Sequence, residues 1–331
     1  MRVRLYHLDG NYNLALMRIA AHHRALGDEV SLVRAGNVGA VEHGFFDEPA
    51  TRTYASLIFK RTRPLAERLL EIHPEAVVGG TGWAPKTGKK LLELGITTKR
   101  LDYSIYPRLT ASIGFSQRGC RLRCGFCVVP VEEGDVREEN TIADIWRGDP
   151  WPRHVVLLDN DFFGQERWRD RIAELRDGAF RVSFTQGINA RMIGDEEAQA
   201  LASVDYRSDD MKTKRLYCAW DNHKDGDRLF RGLHALERAG VKPDEIMVYM
   251  LIGWNDDPED REHRRRELRA FGARPYPMPF QRTRELVGFQ RWVIGAYDKR
   301  FSWAAWEAAG YRPERLGLPA QREQLSLFGA P

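Results

Sequence analysis

Cysteine is scarce in this 331-residue chain, and the few cysteines are unevenly spread. Three of the four, Cys120, Cys124 and Cys127, fall within eight positions, and only Cys218 lies elsewhere. Domains stapled by disulfides are short and carry cysteines along their whole length. The crowded trio therefore fits metal-ligand duty in a reducing compartment better than it fits a disulfide framework.

The chain also lacks a strong charge bias and a long apolar run. Lysine and arginine number 51 against 47 for aspartate and glutamate, so the net charge is only +4. An excess this small does not by itself indicate a nucleic-acid partner. Charged and Asn residues interrupt the N-terminal segment, which matches neither a signal peptide nor a membrane span. We expect a cytoplasmic protein with no membrane partner.

Strand and helix signals alternate through the first hundred residues. Strands are predicted at 2–8, 28–35, 54–60 and 75–82, and helices at 13–27, 64–73 and 86–95. This alternation is typical of a parallel sheet covered by helices. We expect residues 1–108 to form a small Rossmann-like α/β domain.

A second alternating series begins near residue 109. Strands are predicted at 109–115, 154–160, 180–186, 215–220 and 245–253, with helical segments between them. Such repetition favours a full or partial (β/α)6 TIM-type barrel over residues 109–280. The stretch 274–281 is too rich in proline for a helix, whereas the Trp-rich stretch 289–310 predicts one. Residues 281–331 are therefore expected to form a C-terminal helical extension.

The cysteine trio follows the first strand of this second series, with the spacing Cys120-x3-Cys124-x2-Cys127. In β/α barrels the loops after the strands carry the chemistry. A closed zinc site needs a fourth ligand, and no histidine lies within twenty-five residues of the trio. A cubane iron–sulfur cluster also takes four ligands, so three thiolates would leave one iron open to a substrate or cofactor.

The pattern C-x3-C-x-aromatic-C, with Phe126 as the aromatic residue, resembles the motif of the radical S-adenosylmethionine (SAM) superfamily. The resemblance covers residues 109–280. It implies a [4Fe–4S] cluster on Cys120, Cys124 and Cys127, with SAM chelating the fourth iron. It also implies that a reductant protein such as flavodoxin or ferredoxin delivers the electron that cleaves SAM, and that hydrogen is then abstracted from a substrate. The alternative is a non-catalytic zinc- or iron–sulfur-binding module.

The same resemblance implies contacts to SAM outside the cluster. Phe126 would pack beside the adenine. The end of the second strand would supply polar groups to the SAM amino group, and Asp159, Asn160 and Asp161 stand there. This stretch departs from the common Gly-Gly-Glu and resembles the Asp-rich variant of members with a cobalamin-type N-terminal domain. An Asp-rich turn that caps the next helix is the alternative.

Two later loops resemble further SAM-contacting positions. Asn189 and Arg191 follow the third strand, and arginine suits bidentate binding of a carboxylate. A solvated loop is the alternative there. Gly253 follows the fifth strand and would allow close approach to the adenine, although residues 254–257 depart from the Pro-Gly-Glu turn of the family. Cys218 is expected to be a small buried side chain in a strand.

The Gly-rich turn at 76–83 resembles that of the cobalamin-binding-like domain of some radical SAM enzymes. The Asp-x-His-x-x-Gly motif that ligates cobalt is absent, and His7, His22 and His23 match no ligand spacing. We expect either a degenerate scaffold or cobalamin held without a protein ligand. An N-terminal cysteine trio for a second cluster is also absent, which disfavours ordinary methylthiotransferase chemistry.

The substrate class stays open among nucleic acid, metabolite and peptide. Methyl or methylthio transfer to a nucleic acid or a metabolite is the alternative to direct hydrogen abstraction. The arginines of 261–270 are interleaved with Glu262 and Glu267, which favours a solvated helix face over a nucleic-acid surface.

Overall fold

The structure, a computed structural model, describes residues 1–43, 50–83 and 91–319. The chain divides into two compact units with a boundary between Leu109 and Thr110. Among the described residues, no helix combines the length and the apolar composition that crossing a membrane requires.

The N-terminal unit is built on a four-stranded parallel sheet. Its elements are β1 (Arg2–His7), α1 (Leu14–Ala25), β2 (Glu29–Arg34), α2 (Val38–His43), β3 (Arg52–Ser56), α3 (Arg63–Ile72) and β4 (Val77–Gly79). The strand order β2-β1-β3-β4 is the flavodoxin-like order of doubly wound sheets, so the predicted Rossmann-like α/β class is confirmed. Side chains of β1 alternate between two cores: Leu5 packs with Leu16 of α1, and Tyr6 packs with Leu69 of α3.

Two predicted elements of this unit differ from the structure. The strand predicted at 54–60 is β3, which starts and ends earlier because the chain turns away after Ser56. Of the helix predicted at 86–95, residues 86–90 lie outside the described ranges, and Leu91–Leu94 form a 3-10 helix.

The second unit contains the predicted barrel. Its first half comprises β5 (Ser112–Gly114), β6 (Gln117–Arg118), α4 (Val129–Glu132), β7 (Arg137–Glu138), α5 (Ile142–Ile145), β8 (His154–Leu157), α6 (Trp168–Asp177), β9 (Arg181–Phe184), α7 (Asp195–Ala202) and β10 (Asp205–Tyr206). Its second half comprises β11 (Leu216–Ala219), α8 (Gly226–Arg238), β12 (Ile246–Ile252), α9 (Pro258–Phe271), β13 (Arg274–Pro279), α10 (Arg284–Ile294) and α11 (Trp303–Ala308).

Six parallel strands form the wall of a partial (β/α)6 barrel. One sheet holds β5, β8 and β9, and another holds β11, β12 and β13. A parallel bridge between Ile188 and Cys218 joins the two sheets. The α/β architecture and the barrel are therefore confirmed. The short β10 beside β9 and the antiparallel pair β6–β7 are additions that the sequence did not predict.

The last strand of the wall, β13, lies where the proline-rich sequence gave no strand signal. Its residues pair in parallel with β12 from Arg274 to Pro279. Phe280 N donates to Ile252 O at 2.9 Å. Because bonding alternates along a strand, the even-numbered N–H groups of β13 face β12. The prolines stand at odd positions, where the missing N–H is not needed by the sheet.

The Trp-rich stretch predicted as one helix forms two. Helix α10 begins before the predicted start and ends at Ile294, and Ala296 then adopts a left-handed conformation with φ of +54°. Helix α11 follows from Trp303. Trp292 and Trp306 are buried in the same hydrophobic core as the barrel helices.

The arginine-rich helix α9 is not the solvated face that its charge pattern predicted. Arg264 is fully buried, and its guanidinium donates to backbone carbonyls and to Asp256. Arg265 and Arg269 both bind the fully buried carboxylate of Asp298, at N–O distances of 2.8 to 3.0 Å. Arg265 and Arg269 thus hold α9 against the segment that follows α10, and Arg264 holds it against the ends of β11 and β12.

We expect Asp298→Ala to lower the free energy of unfolding by about 3 kcal/mol, because it leaves two poorly solvated guanidinium groups without their anion. Urea unfolding followed by tryptophan fluorescence measures the change. In the control Asp170→Ala, an exposed pair with Arg167 is lost, and the cost should stay under about 1 kcal/mol. Similar losses in both variants would contradict the anchoring role of Asp298.

Candidate functional site

A short antiparallel ribbon closes the base of the cysteine loop, defined here as residues 119–136. Gln117 of β6 pairs with Glu138 of β7, and Arg118 pairs with Arg137. The ribbon follows the carboxyl end of β5, the first strand of the barrel wall, where functional groups of β/α barrels lie. All three clustered cysteines therefore belong to one closed loop.

The three cysteines of the loop are free and partly exposed. Burial raises the pKa of both Cys120 and Cys127, and the neighbouring Cys124 raises both further. The thiols are thus close enough to influence one another's ionisation. Three thiolates in this loop would repel each other unless a cation compensates, as a metal centre does when it deprotonates its cysteine ligands.

No three His, Cys, Asp or Glu side chains among the described residues converge as ligands of a single metal ion. A closed structural zinc site needs four ligands around one point. A [4Fe–4S] cluster binds each cysteine through a different iron, so its thiols share a loop without meeting at a point. Cys120, Cys124 and Cys127 fit that group and are the residues that would hold it.

Cys218 has no part in this loop. It is fully buried on β11 within the hydrophobic core, and burial raises its pKa to about 12. It is the small buried side chain that its place in a strand predicts.

Asp159 follows β8, the second strand of the wall, and is directed into the protein. Its carboxylate accepts hydrogen bonds from Ser116 N at 2.7 Å, from Gln117 N at 3.2 Å and from the Ser116 hydroxyl. Burial raises its pKa to about 7, against the opposing effect of these donors. Asp159 therefore fixes the segment that runs from β5 into the ribbon.

The next two residues also bind the segment around the cysteine loop. Asp161 forms a two-point ion pair with Arg121, at 2.7 Å to Nε and 3.0 Å to Nη2, and accepts Arg121 N at 3.3 Å. Asn160 Nδ2 donates to Glu133 at 2.8 Å, and the same carboxylate accepts Gly119 N at 3.0 Å. These side chains are engaged by the chain itself.

Helix capping by this Asp-rich stretch, the alternative taken from the sequence, is wrong. Asp161 precedes the 3-10 helix Phe162–Gly164, but its side chain makes no capping bond. The sequence placed the three residues correctly at the end of a barrel strand and could not show where their side chains point.

Asn189 and Arg191, after the third strand of the wall, form a second polar group. Arg191 donates from Nε to Asn189 Oδ1 at 3.0 Å and from Nη1 to Asp225 Oδ2 at 2.6 Å. The Nδ2 atom of Asn189 is buried and has no hydrogen-bond partner. The chain itself thus leaves this buried donor unsatisfied.

Asp221, directly after β11, is a residue that the sequence interpretation missed. Its Oδ1 accepts Leu251 N at 3.2 Å, and burial raises its pKa while the charge of Arg191 opposes the shift. Its charge in turn contributes to the raised pKa of Cys127. Asp221 thus lies within electrostatic range of both the Arg191 loop and the cysteine loop. The signal was a Trp-Asp-Asn stretch at the end of a predicted strand.

An aromatic row connects the cysteine loop to the ends of β12 and β13. The ring centroids of Phe126 and Trp254 lie 6.4 Å apart, and those of Trp254 and Phe280 lie 4.6 Å apart. Gly253 has φ of +79°, and a Cβ there would stand 2.5 Å from Leu286 Cδ1. The positive φ favours glycine at this turn, and a side chain there would also force Leu286 of α10 to move.

The sequence matches no protein-family model and no curated protein. Among solved structures, it is similar to the apo, selenomethionine-labelled cobalamin-dependent S-adenosylmethionine radical enzyme OxsB, with a TM-score of 0.51 at 12% sequence identity. The match covers 78% of this chain and 51% of that chain, so this chain spans about half the length of that structure. The similarity shows a shared fold.

We expect Gly119→Ala to disorder the start of the cysteine loop, because its Cβ would stand 2.1 Å from Asp135 O. Gly148→Ala is the matched control: it shares the φ of +78° but has no atom within 4 Å of its Cβ. Hydrogen exchange of the Cys120 amide, which bonds Gly134 O, should accelerate about tenfold in the Gly119 variant relative to the control. Equal exchange would contradict the close packing.

The raised pKa of Asp159 predicts a pH-dependent stability. A carboxyl with a pKa of about 7 when folded and near 3.8 when unfolded adds stability below about pH 4, which is lost as the pH rises through about 7. Asp159→Asn keeps an acceptor oxygen and removes this contribution. Between pH 5 and 8 the wild type should therefore lose more free energy of unfolding in urea than the variant. The exposed-site control Asp170→Asn should follow the wild type, and parallel curves for all three would exclude the shift.

Proposed function

We propose that the chain is a radical SAM enzyme whose [4Fe–4S] cluster is held by Cys120, Cys124 and Cys127. The observation that carries the proposal is the set of three free thiols on one loop after the first strand of the barrel wall. The fold shared with a radical SAM enzyme supports it. Free thiols and an oxygen-sensitive cluster favour the reducing cytoplasm.

The cluster would supply, when bound, the electron that splits the bond between the SAM sulfur and C5′. The residues of the chain would bind SAM, orient it and exclude water from it. Phe126 and Trp254 would form an aromatic wall for the adenine, with the Gly253 turn beside it. Asn189 Nδ2 would donate to the SAM carboxylate, because this buried donor has no partner in the chain.

Arg191 would act on that carboxylate through its charge, because Asp225 already occupies one of its guanidinium nitrogens. Asp159, Asn160 and Asp161 are weaker candidates for the SAM amino group than their position in sequence predicted. Their side chains already bond to the chain, so SAM would have to displace those bonds. The SAM contacts are therefore assigned to Phe126, Asn189, Arg191 and the Gly253 turn.

Cobalamin, on which the similar enzyme OxsB depends, is not included in the proposal. In the N-terminal unit a Cβ at Gly80 would stand 2.0 Å from Leu57 O, and one at Gly82 would stand 2.6 Å from Phe59 O. The Gly-rich turn thus packs directly against the backbone of Leu57 and Phe59. The Asp9 carboxylate, in the same unit, is also engaged by the chain: it accepts hydrogen bonds from Phe59 N at 2.9 Å and from the Thr62 hydroxyl at 2.5 Å. Cobalamin that co-purifies tightly would overturn this choice and favour methyl transfer or a cobalamin-assisted rearrangement.

Replacement of any one loop cysteine by alanine should abolish SAM cleavage. Anaerobically purified wild type should be brown, with about four irons per chain, and should release 5′-deoxyadenosine from SAM under a strong reductant. Cys120→Ala, Cys124→Ala and Cys127→Ala should lose both properties. The control Cys218→Ala should retain them, because that thiol is a core residue.

Equal loss in all four cysteine variants would contradict the ligand assignment. A colourless wild type with one zinc per chain would instead favour the non-catalytic zinc module. Transfer of deuterium from labelled nucleosides, metabolites or peptides into 5′-deoxyadenosine would identify the substrate class. Mass spectrometry of the substrate after turnover separates direct hydrogen abstraction from methyl or methylthio transfer, because only a transfer adds the mass of the transferred group. A low-potential flavodoxin or ferredoxin should replace the chemical reductant.

A further inference from the structure

The Asp-rich stretch and the cysteine loop are joined at both ends of that loop. Near the start of the loop, Asp161 is almost fully buried and holds the backbone and the guanidinium of Arg121, the residue that directly follows Cys120. Near its end, the Glu133 carboxylate holds Asn160 Nδ2 and Gly119 N. Both ends of the loop are thus tied to the end of β8.

We propose that Arg121, Asp161 and Glu133 are positioning residues that hold the cysteine loop in its metal-binding shape before any metal arrives. The purpose of that shape rests on the function proposed above. The bonds that produce it belong to the chain alone.

The loop needs such support because of its composition. It includes three glycines and only one short helix, α4. The β6–β7 ribbon holds only the base of the loop. Ordering such a loop costs conformational entropy for every residue. A metal centre that had to order the loop would bind more weakly by that cost, whereas a loop held by the barrel wall binds without it.

The geometry of the ion pair fits support better than ligand binding. Two parallel N–H···O bonds from Arg121 use both oxygens of Asp161, which is the strongest arrangement for a carboxylate in proteins. Asp161 also donates its own N–H to the Gln117 side-chain oxygen at 3.1 Å. Gln117 Nε2 in turn donates to Gly119 O at 2.6 Å. All of these bonds hold the backbone segment around Cys120, from Gln117 to Arg121, in place.

The test uses thiol alkylation of the full chain without metal. Iodoacetamide is added to apo protein, and mass spectrometry follows each cysteine. Asp161→Ala should speed alkylation of Cys120 about tenfold, because loss of a charge-assisted pair lets the loop open more often. Arg121→Ala should do the same, although it leaves the Asp161 charge beside the thiol. The double variant should be no faster than either single one, because the two residues act as one unit.

Two further variants separate geometry from charge and from general loosening. Arg121→Lys keeps the charge but loses the two-point fork, so its alkylation rate should lie between those of wild type and Arg121→Ala. Arg167→Ala breaks an exposed pair with Asp170 in the same unit and should leave the Cys120 rate unchanged. Cys218, in the core, should stay unreactive in every variant.

Iron uptake provides the second readout. After anaerobic reconstitution, Asp161→Ala should hold less than about half of the wild-type iron and lose it faster to a chelator. Unchanged alkylation and iron uptake, together with a weaker Kd for SAM, would overturn the proposal and restore Asp161 as a SAM contact. If the wild type takes up no iron but alkylation responds as expected, the proposed function fails and the positioning role stands. If the wild type holds its cluster and alkylation does not respond, only the positioning role fails.

Discussion

The ion pair between Arg121 and Asp161 joins two loops that follow neighbouring strands of the barrel wall, β5 and β8. Parallel strands end at the same edge of a sheet, so the pair forms only in the register that sets Gly114 opposite Leu157. The buried carboxylate of Asp159, two residues before Asp161, also joins the segments after β5 and β8, because it accepts a hydrogen bond from Ser116 N. The shape of the cysteine loop therefore depends on strand pairing in the wall, and the loop belongs mechanically to the barrel.

Much of the fold could be predicted from the hydrophobic patterns of the sequence. Apolar strands that alternate with amphipathic helices predict parallel sheets, and both units have them. Local patterns failed where tertiary contacts decide the outcome. The strand β13 carries a proline at every second position and forms because β12 offers an unpaired edge. The helix predicted over 289–310 breaks at Ala296, whose left-handed backbone no residue-level propensity for alanine predicts.

The candidate site shows the same division. Spacing alone was enough to collect three cysteines into one loop and to place polar residues at strand ends. The direction of a side chain depends on its neighbours in space, which is why Asp161 faces Arg121, and why Asn189 keeps a free donor while Arg191 is engaged by Asp225. The sequence also hides proximity between distant segments, so the contact of Trp254 with Phe126 could be found only in the structure.

The alternate prolines of β13 determine whether the outer edge of this last strand can pair with another strand. In the described residues β13 has one neighbour, β12, and its other margin carries prolines at 275, 277 and 279. A margin without N–H donors cannot template another strand, whether from β5 of the same wall or from a second molecule. Gln290 of α10 meets this margin instead, and its Nε2 donates to Pro277 O at 2.9 Å. A helix side chain thus satisfies a carbonyl at the edge of the wall where a further strand would otherwise pair.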